Sequence, residues 1–173
     1  MHAEAASGPP LPDAHAVPDT PRIVVRMHPD MPLLAFPEGV ALEVLADPVS
    51  IRIPNTRPWF DGAVGLRGNL LPLFDIALWA GHRPVTGQRR LLAVSSSRTP
   101  FALVSAEIPQ LLTIAPDTTH ATHTAEIAAA APAQTLVPYL GAAHHTTLGT
   151  VHDFDMQAWV AELRRDLAGT TSA

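Results

Sequence analysis

The residues of this chain best suited to chemistry are its nine histidines, and their spacing argues against their acting together. His120-x-x-His123, His144-His145 and His152 are the groups from which converging metal ligands would be drawn. A zinc centre needs three or four ligands in fixed geometry, and a catalytic one keeps an open position. No His-Glu-x-x-His occurs, and His120 and His123 fall in a stretch rich in Thr and Ala. The chain has no cysteine, which removes thiolate ligands, disulfides and a Cys nucleophile. All eleven basic residues are arginines, so Schiff-base and phosphate-loop lysines are excluded. Ser95, Ser96 and Ser97 lie in a turn without a Gly-x-Ser-x-Gly elbow. Asp61 and Asp75 read as turn-closing and strand-end hydrogen-bond acceptors rather than as an acid–base pair. The expectation is a protein with no catalytic residue, no cofactor and no stoichiometric metal. A His-dependent metalloenzyme on a β scaffold is the alternative, separable by metal content.

Arg67 differs in kind. It sits at the tip of Leu66-Arg67-Gly68-Asn69, with apolar residues on both sides. Gly68 supplies a positive φ cheaply, so the four residues read as a tight hairpin turn. One reading of Arg67 is a turn residue paired with Asp61 or Asp75; the other is an interface anchor, a role for which Arg is enriched. Gly62, Gly65 and Gly68 recur every third residue, and Leu66 and Leu70 are expected to anchor the turn to the core.

The elements that hold this turn are short. Pro54-Asn55-Thr56 and Arg57-Pro58 punctuate the chain before Trp59 and Phe60. Residues 22–26, 32–37, 40–45 and 49–53 read as strands, as do 91–94, 101–104 and 108–114. Residues 135–140 and 146–154 read as strands around a turn at 141–145, after a loop over 117–134. Met156, Trp159, Val160, Leu163 and Leu167 share one helical face; Asp153 or Asp155 is placed to cap it, with Arg164 and Arg165 in the last turn and Gly169 at the stop. Short apolar runs broken by Pro and Gly indicate an all-β barrel or sandwich. No internal repeat is evident.

At 173 residues with 47% hydrophobic content, one domain is expected. The net charge of −5 with scattered Arg argues against nucleic acid. No apolar run is long enough to insert in a membrane. Residues 1–21 are Pro-rich without basic or apolar signal regions, and read as a disordered tail.

The order Ile53-Pro54-Asn55-Thr56, an aromatic segment, Gly62-x-x-Gly65-Leu66-Arg67-Gly68, then Leu71-Pro72-Leu73-Phe74-Asp75-Ile76 resembles the signature of CheW-type chemotaxis coupling proteins. Gly65 stands where that family usually has Asn, and Glu107 where Asp is commoner. His28-Pro29-Asp30 and Leu34-Ala35 depart from the usual first-strand residues. The resemblance is strong over about thirty residues and looser from Arg22 to Val160. It implies two SH3-like five-stranded β-barrel subdomains around a shared core, over 22–168, closing with an α-helix at about 155–168 before a short tail at 169–173. It also implies a cytoplasmic, non-enzymatic adaptor between methyl-accepting receptors and a CheA-type histidine kinase, at receptor arrays near the inner membrane. The Pro-Asn-Thr-x-Pro-Trp-Phe form is similar to the PilI type of pilus chemosensory systems, which control twitching motility; a CheW-fold scaffold for another partner is the alternative. The resemblance assigns partner binding to Arg67, Leu66, Gly68, Asn69, Gly65 and Asp75. Pro54, Gly62, Pro72 and Trp159 are expected to be structural.

Overall fold

A computed structural model describes residues 20–95, 99–114 and 133–169. Expectations for residues 1–19 and 170–173 of the two tails, for most of the 117–134 loop, for His120 and His123 and for Ser96 and Ser97 lie outside these residues, while Thr20 and Pro21 belong to the first strand and Gly169 to the last helix. The strands are β1 (Thr20–Val25), β2 (Leu33–Ala35), β3 (Ala41–Val44), β4 (Ser50–Ile51), β5 (Phe60–Leu66), β6 (Asn69–Phe74), β7 (Arg90–Ser95), β8 (Phe101–Ser105), β9 (Gln110–Ile114), β10 (Leu140–Thr146) and β11 (Gly149–Phe154). Two α-helices are described: α1 (Ile76–Trp79) and α2 (Met156–Gly169).

The strands form two sheets with the same plan. One runs β10-β11-β2-β1-β9; the other runs β5-β6-β8-β7-β3, with the two-residue β4 added outside β5. In each, an antiparallel hairpin (β10–β11 or β5–β6) lies parallel to the second strand of another hairpin (β1–β2 or β7–β8). The sheets curl into SH3-like barrels. In the second, Arg67 at the β5–β6 tip reaches Glu43 on the opposite edge strand. Leu66 and Leu45 pack there on Val64, Leu71, Leu73, Leu91, Ala93, Ala102 and Val104.

The shared plan exposes a repeat that apolar patterning hides. Pro58-Trp59-Phe60 and Pro138-Tyr139-Leu140 lead into the two hairpins, and Phe74-Asp75-x-x-x-Trp79 and Phe154-Asp155-x-x-x-Trp159 leave them, at one constant offset of 80 residues. Phe60 pairs with Phe74 and Leu140 with Phe154, and each pair is followed by a register shift. The Asp75 amide donates to Trp59 O, and the Asp155 amide donates to Tyr139 O. Each Asp then caps a helix: Asp75 Oδ1 accepts from Leu78 N at 3.0 Å, and Asp155 Oδ1 from Ala158 N at 2.9 Å. A side-chain oxygen at that position satisfies an amide the helix cannot.

The halves meet on α2. Met156, Trp159 and Leu163 are buried, while Leu167 is partly exposed at the stripe's end. The Trp159 ring lies against Phe74 of one hairpin and Phe154 of the other, at centroid distances of 6.2 and 5.8 Å. The shared cluster includes Val25, Met27, Leu34, Phe36, Leu92, Phe101 and Leu136.

Three local expectations are corrected, and one element was not anticipated. The expected strand at 135–140 is occupied by 3-10 turns at Ala133–Thr135 and Val137–Tyr139, because Pro138 fixes φ and has no amide for a ladder. The expected turn at 141–145 is strand β10, and the reversal falls at Thr147–Leu148. The segment after Asp75 is a one-turn helix, too short for apolar periodicity to reveal. Arg164 and Arg165 precede the last turn, which contains no basic residue, because α2 extends to Gly169.

Candidate docking surface

The β5–β6 hairpin closes on the pair Leu66–Asn69, leaving Arg67 and Gly68 as its two-residue turn. Both take positive φ, +50° and +81°. This is the twist a two-residue hairpin favours. It suits glycine, but an L side chain in the left-handed region costs on the order of 1–2 kcal/mol. Arg67 accepts that conformation and carries a 74% exposed side chain. Its Nη2 donates to both Glu43 carboxylate oxygens at 2.9 Å. The expected partners are taken elsewhere: Asp61 pairs with Arg89, and Asp75 caps α1. An ion pair this exposed contributes about 0–1 kcal/mol, so it orients the guanidinium rather than holding the fold.

Exposed apolar side chains share the barrel with this tip. Leu70 is 70% exposed and is not the core anchor expected of it. It stands across from Gly65, and a Cβ at Gly65 would meet nothing within 4 Å, so Leu70 has no cross-strand cover. Leu66 is half-buried and does pack on the barrel core. Val44, Val49, Ile51 and Ile53 on or beside β3 and β4 are also exposed. The other barrel presents Leu111 on edge strand β9 and the neighbouring Ile108, both exposed. Edge strands with apolar side chains invite pairing with another chain.

The expected site residues therefore separate. Arg67, Gly68, Asn69 and Gly65 are exposed together at one hairpin tip, with Leu66 beneath them. Asp75 is not with them. It is 2% exposed, and burial raises its carboxyl pKa, opposed by the Leu78 amide and the Arg89 charge. Among the expected structural residues, Gly62 is the most constrained. Its φ is +111°, and a Cβ would lie 2.0 Å from the Ile51 carbonyl oxygen, so only glycine lets β4 approach β5. Pro72 faces Ala63 just before β8 begins pairing at Leu73, where a missing amide is tolerated. Pro54 lies three residues beyond the end of β4 and precedes Asn55 at φ +61°, where Thr56 Oγ1 donates to the Ile53 carbonyl at 2.8 Å. Trp159 is fully buried.

The histidines arrange themselves unlike the sequence grouping. His144 and His152 are buried on β10 and β11, and His144 Nε2 lies 3.3 Å from Asp153 Oδ2, while the other oxygen of that carboxylate, Oδ1, takes Arg22. Among the described residues, the one group of three metal-ligating side chains within reach of each other is His28, Asp30 and His82. No described helix is long and apolar enough to cross a membrane.

Residues 18–136 match the family model described as CheW-like domain. The scaffolding protein TtCheW from Thermoanaerobacter tengcongensis superposes with a TM-score of 0.56, over 80% of this chain and 89% of that one, at 19% identity. Protein PilI from Pseudomonas aeruginosa is 37% identical over 60 residues, which is 34% of this chain and 34% of that protein. The aligned stretch thus spans about a third of that relative.

Proposed function

The chain belongs to the CheW-like domain family, and from that premise we propose that it is a non-enzymatic adaptor between methyl-accepting receptors and a CheA-type histidine kinase. One exposed face docks the kinase's CheW-like regulatory domain, and another docks the receptor's cytoplasmic tip. The mechanism is geometric: receptor state reaches the kinase through affinities and relative placement, with no chemical step. The observation that carries this reading is Arg67, held at a positive φ, exposed, and set beside uncovered Leu70. A stability-driven turn would place Asn there. Arg beside exposed apolar surface is the composition of an interface anchor. The partial likeness to PilI supports a place in a pilus chemosensory system controlling twitching motility, in the cytoplasm at receptor arrays.

The test is calorimetric titration of Arg67→Ala against the cognate kinase regulatory domain and receptor tip, beside melting curves. The variant is expected to melt like wild type and bind one partner more than tenfold more weakly, on the order of 2 kcal/mol. Wild-type affinity for both partners would reduce Arg67 to an ordinary turn residue. The docking faces would then be sought on the β9 and β4 edges.

A further inference from the structure

We propose that His28, Asp30 and His82 form a binding site for a divalent transition-metal ion, zinc being the best fit, that ties one barrel to the other. His28 lies in the turn after β1, and His82 follows α1 at the end of the other barrel's hairpin. Their rings stack at a centroid distance of 5.1 Å. One ligand atom from each of the three side chains lies within 4.8 Å of the others. They line a cavity of about 470 Å³ together with Gly81, Arg83, Pro84 and Thr86.

One of the two histidines has a nitrogen left unmet by the protein. His82 Nε2 is fully buried and has no hydrogen-bond partner, an arrangement that costs free energy in a protein without a ligand. His82 is held in place by its own amide, which donates to the Ala77 carbonyl at 2.8 Å. His28 Nδ1 accepts the Asp30 amide at 3.1 Å, so this nitrogen carries a lone pair rather than a proton. A metal ion would displace the Asp30 amide from that lone pair. The Asp30 side chain is 80% exposed and free to rotate inward. Zinc–nitrogen and zinc–oxygen bonds of about 2.0–2.2 Å set ligand atoms roughly 3.3 Å apart, so the three side chains must draw together by up to about 1.5 Å. The cavity leaves a coordination position for water. Two imidazoles select zinc, nickel or copper over magnesium and calcium, which prefer oxygen. Arg83 on the wall opposes a cation and keeps the affinity moderate.

The experiment is calorimetric titration of the untagged full chain with zinc chloride, with magnesium chloride as control, and melting curves at each end point. One zinc per chain, a raised melting temperature and no response to magnesium are expected. Asp30→Ala and His82→Ala should each weaken zinc binding at least about tenfold, and Arg83→Ala should not weaken it. Asp30→Ala guards against a folding artefact, because its side chain is exposed. No zinc binding by wild type, or binding that neither Asp30→Ala nor His82→Ala changes, overturns the site.

Discussion

The two hairpins of this molecule share a plan and differ at their tips. In β10–β11 the reversal is built for closure: Thr146 Oγ1 accepts from the Leu148 amide and donates to the Gly149 carbonyl, and Gly149 carries the positive φ. In β5–β6 the positive φ falls inside the two-residue turn itself, at Arg67 and Gly68, and the Arg67 side chain projects into solvent. The first turn spends its side chain on the backbone; the second frees its side chain at some cost to the backbone. A costly conformation at an exposed residue is the contrast on which the proposed docking role of Arg67 rests.

The largest expected effect removes what both hairpins share. Trp159→Ala should cost about 3–5 kcal/mol in chemical denaturation, because its ring supports Phe74 and Phe154 alike. A change within error would mean that α2 is not docked on the core. Next comes Gly62→Ala, expected to cost at least about 1–3 kcal/mol through a backbone collision at positive φ. Its counterpart 80 residues on is already Ala142, and among the described residues no strand lies outside β10 as β4 lies outside β5. Gly62→Ala melting like wild type would show that β4 is dispensable.

Asp75 separates the two helix caps. Asp75→Ala should lose about 1 kcal/mol of capping, while Asp75→Asn keeps the acceptor and removes a buried charge. Because the folded pKa of Asp75 is raised, its carboxyl contributes stability below the unfolded value, near 3.8, that is lost as pH rises through the folded value. Stability curves against pH should show this loss in wild type and not in Asp75→Asn. The smallest change is Arg67→Asn, which relieves the turn: stability should hold or rise by up to about 1 kcal/mol, while affinity for a partner falls. A clear drop in melting temperature would make the Glu43 pair structural after all.

The β5–β6 tip was legible because its conformation is written locally in Arg67-Gly68. The β10–β11 tip was not. Gly141 looks like a turn glycine, yet it is small because a Cβ there would sit 3.1 Å from Asp153 Cβ. Leu70 was misplaced because an apolar residue beside a core strand gives no sign of what lies opposite it. The repeat is faint in the sequence because it is carried by Pro, Phe, Asp and Trp at long spacing, with unrelated residues between. His28 and His82 are joined only by the packing of one barrel on the other, which no spacing reveals.

The interleaving of the sheets has a consequence for how the chain acquires its shape. Every strand of the barrel that carries Arg67 comes from one continuous stretch, β3 to β8, whereas the other barrel joins β1 and β2 to β9, β10 and β11 from the far end. During vectorial synthesis the barrel of β3 to β8 has all its strands while β1 and β2 still wait for their neighbours. Closing that long loop is the slow, entropically costly step. Until β11 arrives to lie beside β2, the uncovered β2 edge is the point at which a nascent chain is open to misassembly.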